Sequence, residues 1–447
     1  MLKRKIENTL VAWKNEPDHK PLVIKGCRQC GKTFSVQKFA AENYTHVVYI
    51  NFVEDDRYIL AFEGSMRVDD IIMNITAMIP GCVFEPHNTC LILDEIQDCP
   101  GARTSLKFFK LDGRYDVIAT GSLLGVKGYG EKKKKQTKEE QLASVPVGYE
   151  NMVDMYPLDF EEFLWANGIN SAIIDRLQEC LSGESPVPEA LHQRMRQLLL
   201  QYVVVGGMPA VVNLFLDSHD MGRVLAEQRG IVSGYEEDMV KYAKDEDKPR
   251  IRQCFESIPR QLSKENKKFQ YSIIRKGARS SEYAGSIKWI EDAGIICRCR
   301  NLNITELPLD GNAIEEVFKV YMADTGLFVS MLEDGTQFDI LQGNLYGYKG
   351  AIFENLIADI FTKMQRKLYY FHKDSGLEVD FVIRYKGECV LLEVKAKSGN
   401  TKSTNTILKS PDKYHVYHAI KLGDYNVGRA GTLLTLPLYM AFLLNNR

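Results

Sequence analysis

The feature that most constrains this chain is Gly26-Cys27-Arg28-Gln29-Cys30-Gly31-Lys32-Thr33, a G-x-x-x-x-G-K-T run. Leu22-Val23-Ile24 leads into it as a short apolar strand, and Phe34 to Ala41 continues without a helix breaker. Strand, glycine loop and helix is the setting in which successive backbone N–H groups turn inward on a phosphate. The positive end of the following helix adds to that field. Gly26, Cys27, Arg28, Gln29, Cys30, Gly31, Lys32, Thr33 and Phe34 therefore form the expected nucleotide-binding run. Lys32 is expected to reach the β- and γ-phosphates of ATP, and the Thr33 hydroxyl to ligate Mg²⁺.

A phosphate loop needs acids. Cys90-Leu91-Ile92-Leu93-Asp94-Glu95 is an apolar run that ends in two carboxylates. Near-continuous apolar strands suit a parallel sheet covered on both faces. Asp94 is expected to hold Mg²⁺ through water, and Glu95 to orient and deprotonate the attacking water. One whole strand, His46 to Phe52, lies between the loop and the Asp94 strand. That order fits the additional-strand, catalytic-glutamate branch of P-loop ATPases. Asp116 to Ser122 reads as a further strand ending in small hydroxyl residues. Thr120 and Ser122 would then bond the γ-phosphate or the water, at the sensor position of AAA-type ATPases, or else mark a plain polar strand end.

At 447 residues the chain exceeds one ordinary hydrophobic core, so several domains are expected. Lys plus Arg (57) nearly balances Asp plus Glu (59), so any nucleic-acid surface must be local. The ten cysteines show no disulfide framework, as expected of a reducing cytoplasm. Cys27 and Cys30 form a C-x-x-C at the variable positions of the phosphate loop, and no second pair stands at zinc spacing. Oxidation of Cys30 would alter the loop and block nucleotide binding. Leu433 to Leu444 is apolar but is interrupted by Pro437 and is too short to span a bilayer, so no membrane is expected. Gly125 to Gln141, with Lys132 to Lys135, reads as a surface loop, with a phosphate-backbone contact as the sharper alternative.

Asp159 stands where a helix N-cap would, ahead of a strong helical run. A long helical pattern from Glu189 to Val205 stops at Gly206-Gly207-Met208-Pro209. Arg279 to Ile290 reads as a helix, followed by a turn and a short basic strand through Ile295 to Arg298. That is the pattern of a winged helix, in which Arg275, Lys276, Arg279 and Lys288 could meet DNA phosphates. Further on, Gly350 to Ile357 opens an amphipathic helix carrying Glu354. Two strands joined by Lys386-Gly387 would bring Asp380 close to Glu393, and strand alternation puts Glu393 and Lys395 on one face. Asp380, Glu393 and Glu354 would make a hard oxygen site for Mg²⁺ or Mn²⁺, with Lys395 stabilising charge during phosphodiester cleavage. Ordinary ion pairing is the plainer reading of the same residues.

Taken together, Gly26 to Thr33, Leu91 to Glu95, Ala119 to Ser122, Tyr156 to Phe163, Gly206 to Pro209, Glu354, Glu378 to Phe381 and Glu393 to Lys395 resemble a known family. It is that of prokaryotic AAA-type ATPases fused to a C-terminal PD-(D/E)xK nuclease-like domain of undefined role, related to Holliday junction resolvases. The resemblance implies an α/β P-loop ATPase core with a parallel sheet over residues 1–188. A helical and winged-helix region over 189–335 and an α/β nuclease-like domain over 336–447 follow. It implies an ATPase whose nucleotide state controls a metal-dependent DNA endonuclease-like domain, and it admits a homo-oligomer. The alternatives are a nucleotide-controlled switch whose last domain binds DNA or a protein without cleaving, and a regulator acting through the winged helix. Many relatives carry Gly-Arg where this chain has Gly148-Tyr149, which leaves Arg103, Arg194 and Arg196 as substitutes for transition-state charge.

Overall fold

A computed structural model describes residues 2–122, 148–243, 246–264, 268–344, 349–395 and 402–445. The lysine-rich stretch 125–141 and the segment 144–147 lie outside the described residues. The chain separates into two compact units, Lys3–Pro157 and Leu158–Arg447. The break lies ahead of the expected boundary at 188, and the segments read as middle and C-terminal regions share the second unit.

The first unit is built on five parallel strands: β1 (Leu22–Lys25), β2 (His46–Asn51), β3 (Thr89–Asp94), β4 (Asp116–Gly121) and β5 (Asn151–Asp154). Their order across the sheet is β2-β3-β4-β1-β5. The strand between the two motifs in sequence, β2, lies at the sheet edge, and the strand inserted between β1 and β3 is β4, which follows both motifs. Strand alternation feeds two cores. Val23, Leu91, Leu93, Val117 and Ala119 pack with Ile71, Ile75, Leu106 and Phe109 on one side. Leu22, Ile24, Cys90, Ile92 and Ile118 pack with Leu10, Val36 and Phe39 on the other. Every residue of β3 is buried, which is why it reads as a continuous apolar run.

In the second unit Asp159 caps the helix Phe160–Ala166 in a reciprocal capping box with Glu162. The helix Glu189–Val205 ends at Gly206. The Gly206-Gly207 stop has a packing cause as well. A Cβ on Gly207 would lie 2.0 Å from the Leu158 carbonyl oxygen, and one on Gly206 would lie 2.2 Å from Asp324 Oδ1. Beside them, buried Lys363 Nζ lies 2.7 Å from Asp359 Oδ1 and 3.5 Å from Asp324 Oδ2. It also donates to the Tyr202 hydroxyl at 2.9 Å and to the Leu158 carbonyl at 3.1 Å.

Helices Lys248–Leu262, Tyr271–Ile274 and Ser280–Asp292 precede an antiparallel hairpin of β6 (Ile296–Leu302) and β7 (Ala313–Met322). The sheet continues through β8 (Leu368–His372) to β9 (Glu378–Val379), in the order β7-β6-β8-β9. A second sheet runs β10-β11-β12-β14-β13, from β10 (Phe381–Tyr385), β11 (Glu388–Val394), β12 (His418–Gly423), β13 (Gly428–Ala430) and β14 (Leu433–Pro437). β10 and β11 are antiparallel about Lys386 and Gly387, whose φ values of +49° and +84° make the tight turn. The helix Lys349–Lys363 packs against β6, β7, β8 and β11. The apolar Leu433 to Leu444 run is β14 followed by the 3₁₀ turn Leu438–Leu443, and no helix among the described residues is long and apolar enough to cross a membrane.

Candidate functional site

The phosphate loop joins β1 to the helix Lys32–Asn43. Gly31 takes φ +96°, a conformation costly for a residue with a Cβ. Gly26 is required for a different reason: a Cβ there would lie 2.0 Å from the Met155 carbonyl oxygen. Lys32 is buried, and its ammonium donates to the Gly26 and Cys27 carbonyls at 2.9 and 2.8 Å, closing over the loop. Arg28 and Gln29 are exposed at the tip, and Phe34 is 56% exposed at the start of the helix. Cys30 is fully buried. A hydrogen bond from the Cys27 side chain, with the charges of Lys32 and Arg4 nearby, lowers its thiol to about 6 against the opposing effect of burial.

Asp94, at the end of β3, gathers the loop and the sheet edge. Its Oδ2 accepts from the Thr33 hydroxyl at 2.8 Å and from the Tyr49 hydroxyl at 2.9 Å. Its Oδ1 accepts from the Glu95 N–H at 3.0 Å and from the Thr120 hydroxyl. Glu95 sits at φ +53°, a strained setting for a non-glycine residue and one found at functional turns. Its carboxylate accepts from Ser122 Oγ at 3.0 Å and from Gln97 Nε2 at 2.5 Å. Thr120 and Ser122, expected to face the γ-phosphate or the water, are bonded to the two acids, Asp94 and Glu95. A hydroxyl and a carboxylate side by side are a hard-oxygen pair that suits Mg²⁺.

In the second unit, Asp380 Oδ2 accepts from the Val394 N–H at 2.8 Å, which places it beside the end of β11. Lys395 Nζ lies 2.5 Å from Glu393 Oε2 and 3.8 Å from Asp380 Oδ2. Thr404 donates its hydroxyl to Glu393 Oε1. Glu354, 5% exposed on its helix, accepts from the Tyr321 hydroxyl at 3.1 Å. Burial, together with the negative charges of Glu354 and Glu393, pushes the Asp380 carboxyl up to about 7. Lys319, 1% exposed on β7, lies 2.8 Å from Glu378 Oε1 and 3.9 Å from Glu354 Oε2. The oxygen donors suit a hard divalent cation in kind but not in arrangement. Two ammonium groups pair with these carboxylates, and among the described residues no three Asp, Glu, His or Cys side chains are placed to hold one ion.

With this geometry in place, residues 18–164 match a family described as AAA domain. This segment is an AAA-type P-loop ATPase domain. Residues 196–337 and 349–439 match two domains of unknown function, DUF8612 and DUF4143. No curated protein matches the chain. Among solved structures, the chain is similar to the Walker-type ATPase paby2304 of Pyrococcus abyssi, at 15% identity and TM-score 0.42 over 74% of this chain and 96% of that one. It is similar to the Aeropyrum pernix ORC1 protein in complex with DNA, at 11% identity and TM-score 0.28 over 75% and 93%. A third is AMPPCP-bound DnaA from Aquifex aeolicus, at 12% identity and TM-score 0.27 over 64% and 86%.

In the AAA-type domain the structure brings together Lys32, Thr33, Asp94, Glu95, Thr120 and Ser122. It adds Tyr49 and Gln97, which the sequence reading missed. Tyr49 follows from register, since its neighbour Asn51 pairs with Asp94 across β2 and β3. Among the arginines offered for transition-state charge, Arg103 of this domain is held by Glu150 in a largely buried pair. In the other unit Arg196 is held by Asp424 at 2.6 Å, and Arg194 donates to Gln197 at 2.9 Å. The second unit adds Lys319, Tyr321 and Thr404 to the expected set. A lone lysine inside Val317-Phe318-Lys319-Val320-Tyr321 was the available signal, because a buried ammonium must find carboxylates.

Proposed function

We propose that this chain is an ATP-driven switch, in which the nucleotide state of the AAA-type domain governs a nuclease-like, DNA-directed second unit that binds DNA without cutting it in the state described. The observation that carries the switch is the convergence on Asp94 of the Thr33, Tyr49 and Thr120 hydroxyls. The groups that would register a γ-phosphate are bonded to the same acids that serve hydrolysis. Mg²⁺ between Thr33 and Asp94 would neutralise charge on the β- and γ-phosphates. Lys32 binds the phosphates, Ser122 and Gln97 orient Glu95, and Glu95 takes the proton of the attacking water.

The DNA assignment is supported by the helix Ser280–Asp292 followed by the β6–β7 hairpin, an order of elements compatible with a winged helix. Lys276 is exposed in the turn before this helix and Arg279 at its N-cap, and Ser281, Ala284 and Gly285 are exposed along it. Small side chains there allow close approach to a groove while the basic groups meet phosphates. Arg275 and Lys288 contribute less, being paired with Glu282 and Asp292. A cleaving reading is favoured by one observation, the grouping of Asp380, Glu393 and Lys395 at adjacent strand ends.

Linear, single-stranded and branched DNA, offered with Mg²⁺ or Mn²⁺ and with or without ATP, separate the two. The switch predicts binding that ATP modulates, that Lys32→Ala uncouples from ATP, that weakens when Lys276 and Arg279 are neutralised, and that is unaffected by Asp380→Ala. Cleavage by wild type that Asp380→Ala abolishes would establish the second reading in its place.

A further inference from the structure

The carboxylate cluster of the second unit already contains a cation that a metal-dependent reading does not use. Lys319 projects from β7, within the segment 196–337, whereas Glu354, Glu378, Asp380 and Glu393 all lie within 349–439. Its side chain is 1% exposed, so its charge must be balanced locally. The balance comes from Glu378 at 2.8 Å and Glu354 at 3.9 Å, and the ammonium also lies 4.8 Å from the centre of the Tyr370 ring. Tyr321, two residues on and so on the same face of β7, donates to that same Glu354. On the far side of the cluster Lys395 takes Glu393 and faces Asp380.

We infer that Lys319 is a built-in counter-ion that occupies the charge position of a divalent cation in this cluster, and that it keeps the cluster from taking Mg²⁺ or Mn²⁺. The inference rests on the nuclease-like reading of the second unit and adds the group that holds it inactive. A divalent ion drawn to Glu354 and Asp380 would meet a desolvated ammonium that already holds Glu354, and like charges brought together out of water repel strongly. Lys319 is a positioning and blocking residue in this account, not a catalytic one.

The test is Mn²⁺ binding to the full chain without nucleotide, followed by calorimetry and by the loss of the free-ion resonance signal. Lys319→Met keeps the length of the side chain and removes its charge. It should bind Mn²⁺ at least about tenfold more tightly than wild type, and the gain should vanish in Lys319→Met with Asp380→Asn. Lys319→Arg should behave as wild type. Equal Mn²⁺ affinity in wild type and Lys319→Met, or a gain that survives Asp380→Asn, overturns the inference. Should Lys319→Met fail to fold, Lys319→Gln, whose amide can still donate to Glu378, takes its place. Wild type alone also tests the point: a tight Asp380-dependent Mn²⁺ site in it would contradict a built-in blocker. DNA binding measured alongside keeps the two readings apart, because its absence from wild type and variant alike would remove the DNA assignment and leave the metal result standing.

Discussion

Thr33 and Asp94 are joined by a 2.8 Å hydrogen bond that ties the end of the phosphate loop to the end of β3. The bond matters because Asp94 is 2% exposed and is shared with Tyr49 and Thr120. A ligand that pulls on Thr33 therefore changes the company Asp94 keeps, and Glu95 follows through its own N–H bond to Asp94 Oδ1.

Ser122 is the nearest check on how Glu95 is oriented, since its hydroxyl lies 3.0 Å from Glu95 Oε2. Ser122→Ala should lower kcat about tenfold, equivalent to about 1.4 kcal/mol of transition-state stabilisation, and leave ATP affinity within about twofold. Steady-state hydrolysis and nucleotide titration on the same samples check it. A rise in Kd matching the fall in kcat would assign Ser122 to phosphate binding instead.

Gly207 should tolerate nothing larger. Its replacement by alanine sets a methyl against the Leu158 carbonyl beside the Lys363 network, and overpacking of this kind costs about 1–3 kcal/mol or more. Gly343 has φ +76° with open space around it, so Gly343→Ala should cost only about 1–2 kcal/mol, the ordinary cost of left-handed backbone. Denaturant melts of both variants should rank them in that order.

Asp380 predicts a pH effect. Its carboxyl is pushed up to about 7 by burial and by Glu354 and Glu393, while an unfolded aspartate titrates at about 3.9. Between those values the folded protein keeps a proton that the unfolded chain has released. Stability from this group therefore falls as pH rises through the window and levels off above it. Asp380→Asn should lose less Tm than wild type between pH 5 and pH 8. Parallel slopes for the two proteins would remove Asp380 as the source.

Much of the first unit was legible because its signals are local. The glycine loop, the apolar β3 with its two acids, and the hydroxyl end of β4 each occupy a few consecutive residues. β5 was not read, because Asn151–Asp154 is short and only half buried, without an apolar pattern. The capping box at Asp159 was legible for the same local reason as the loop. Gly206-Gly207 signals a helix stop locally, but its tight packing against Leu158 and Asp324 depends on contacts distant in sequence. Lys319 illustrates the limit most clearly. It and Glu378 are separated by 59 positions, and nothing in β7 alone says which carboxylates will surround its ammonium.

The central claim is that Lys32 binds ATP and Glu95 turns it over, and ATP binding and hydrolysis measured on three proteins test it most directly. Lys32→Ala should lose ATP binding, whereas Glu95→Gln should bind ATP as wild type does and hydrolyse it about 10²-fold more slowly or worse. Equal hydrolysis by wild type and Glu95→Gln, or full ATP affinity in Lys32→Ala, would contradict the account.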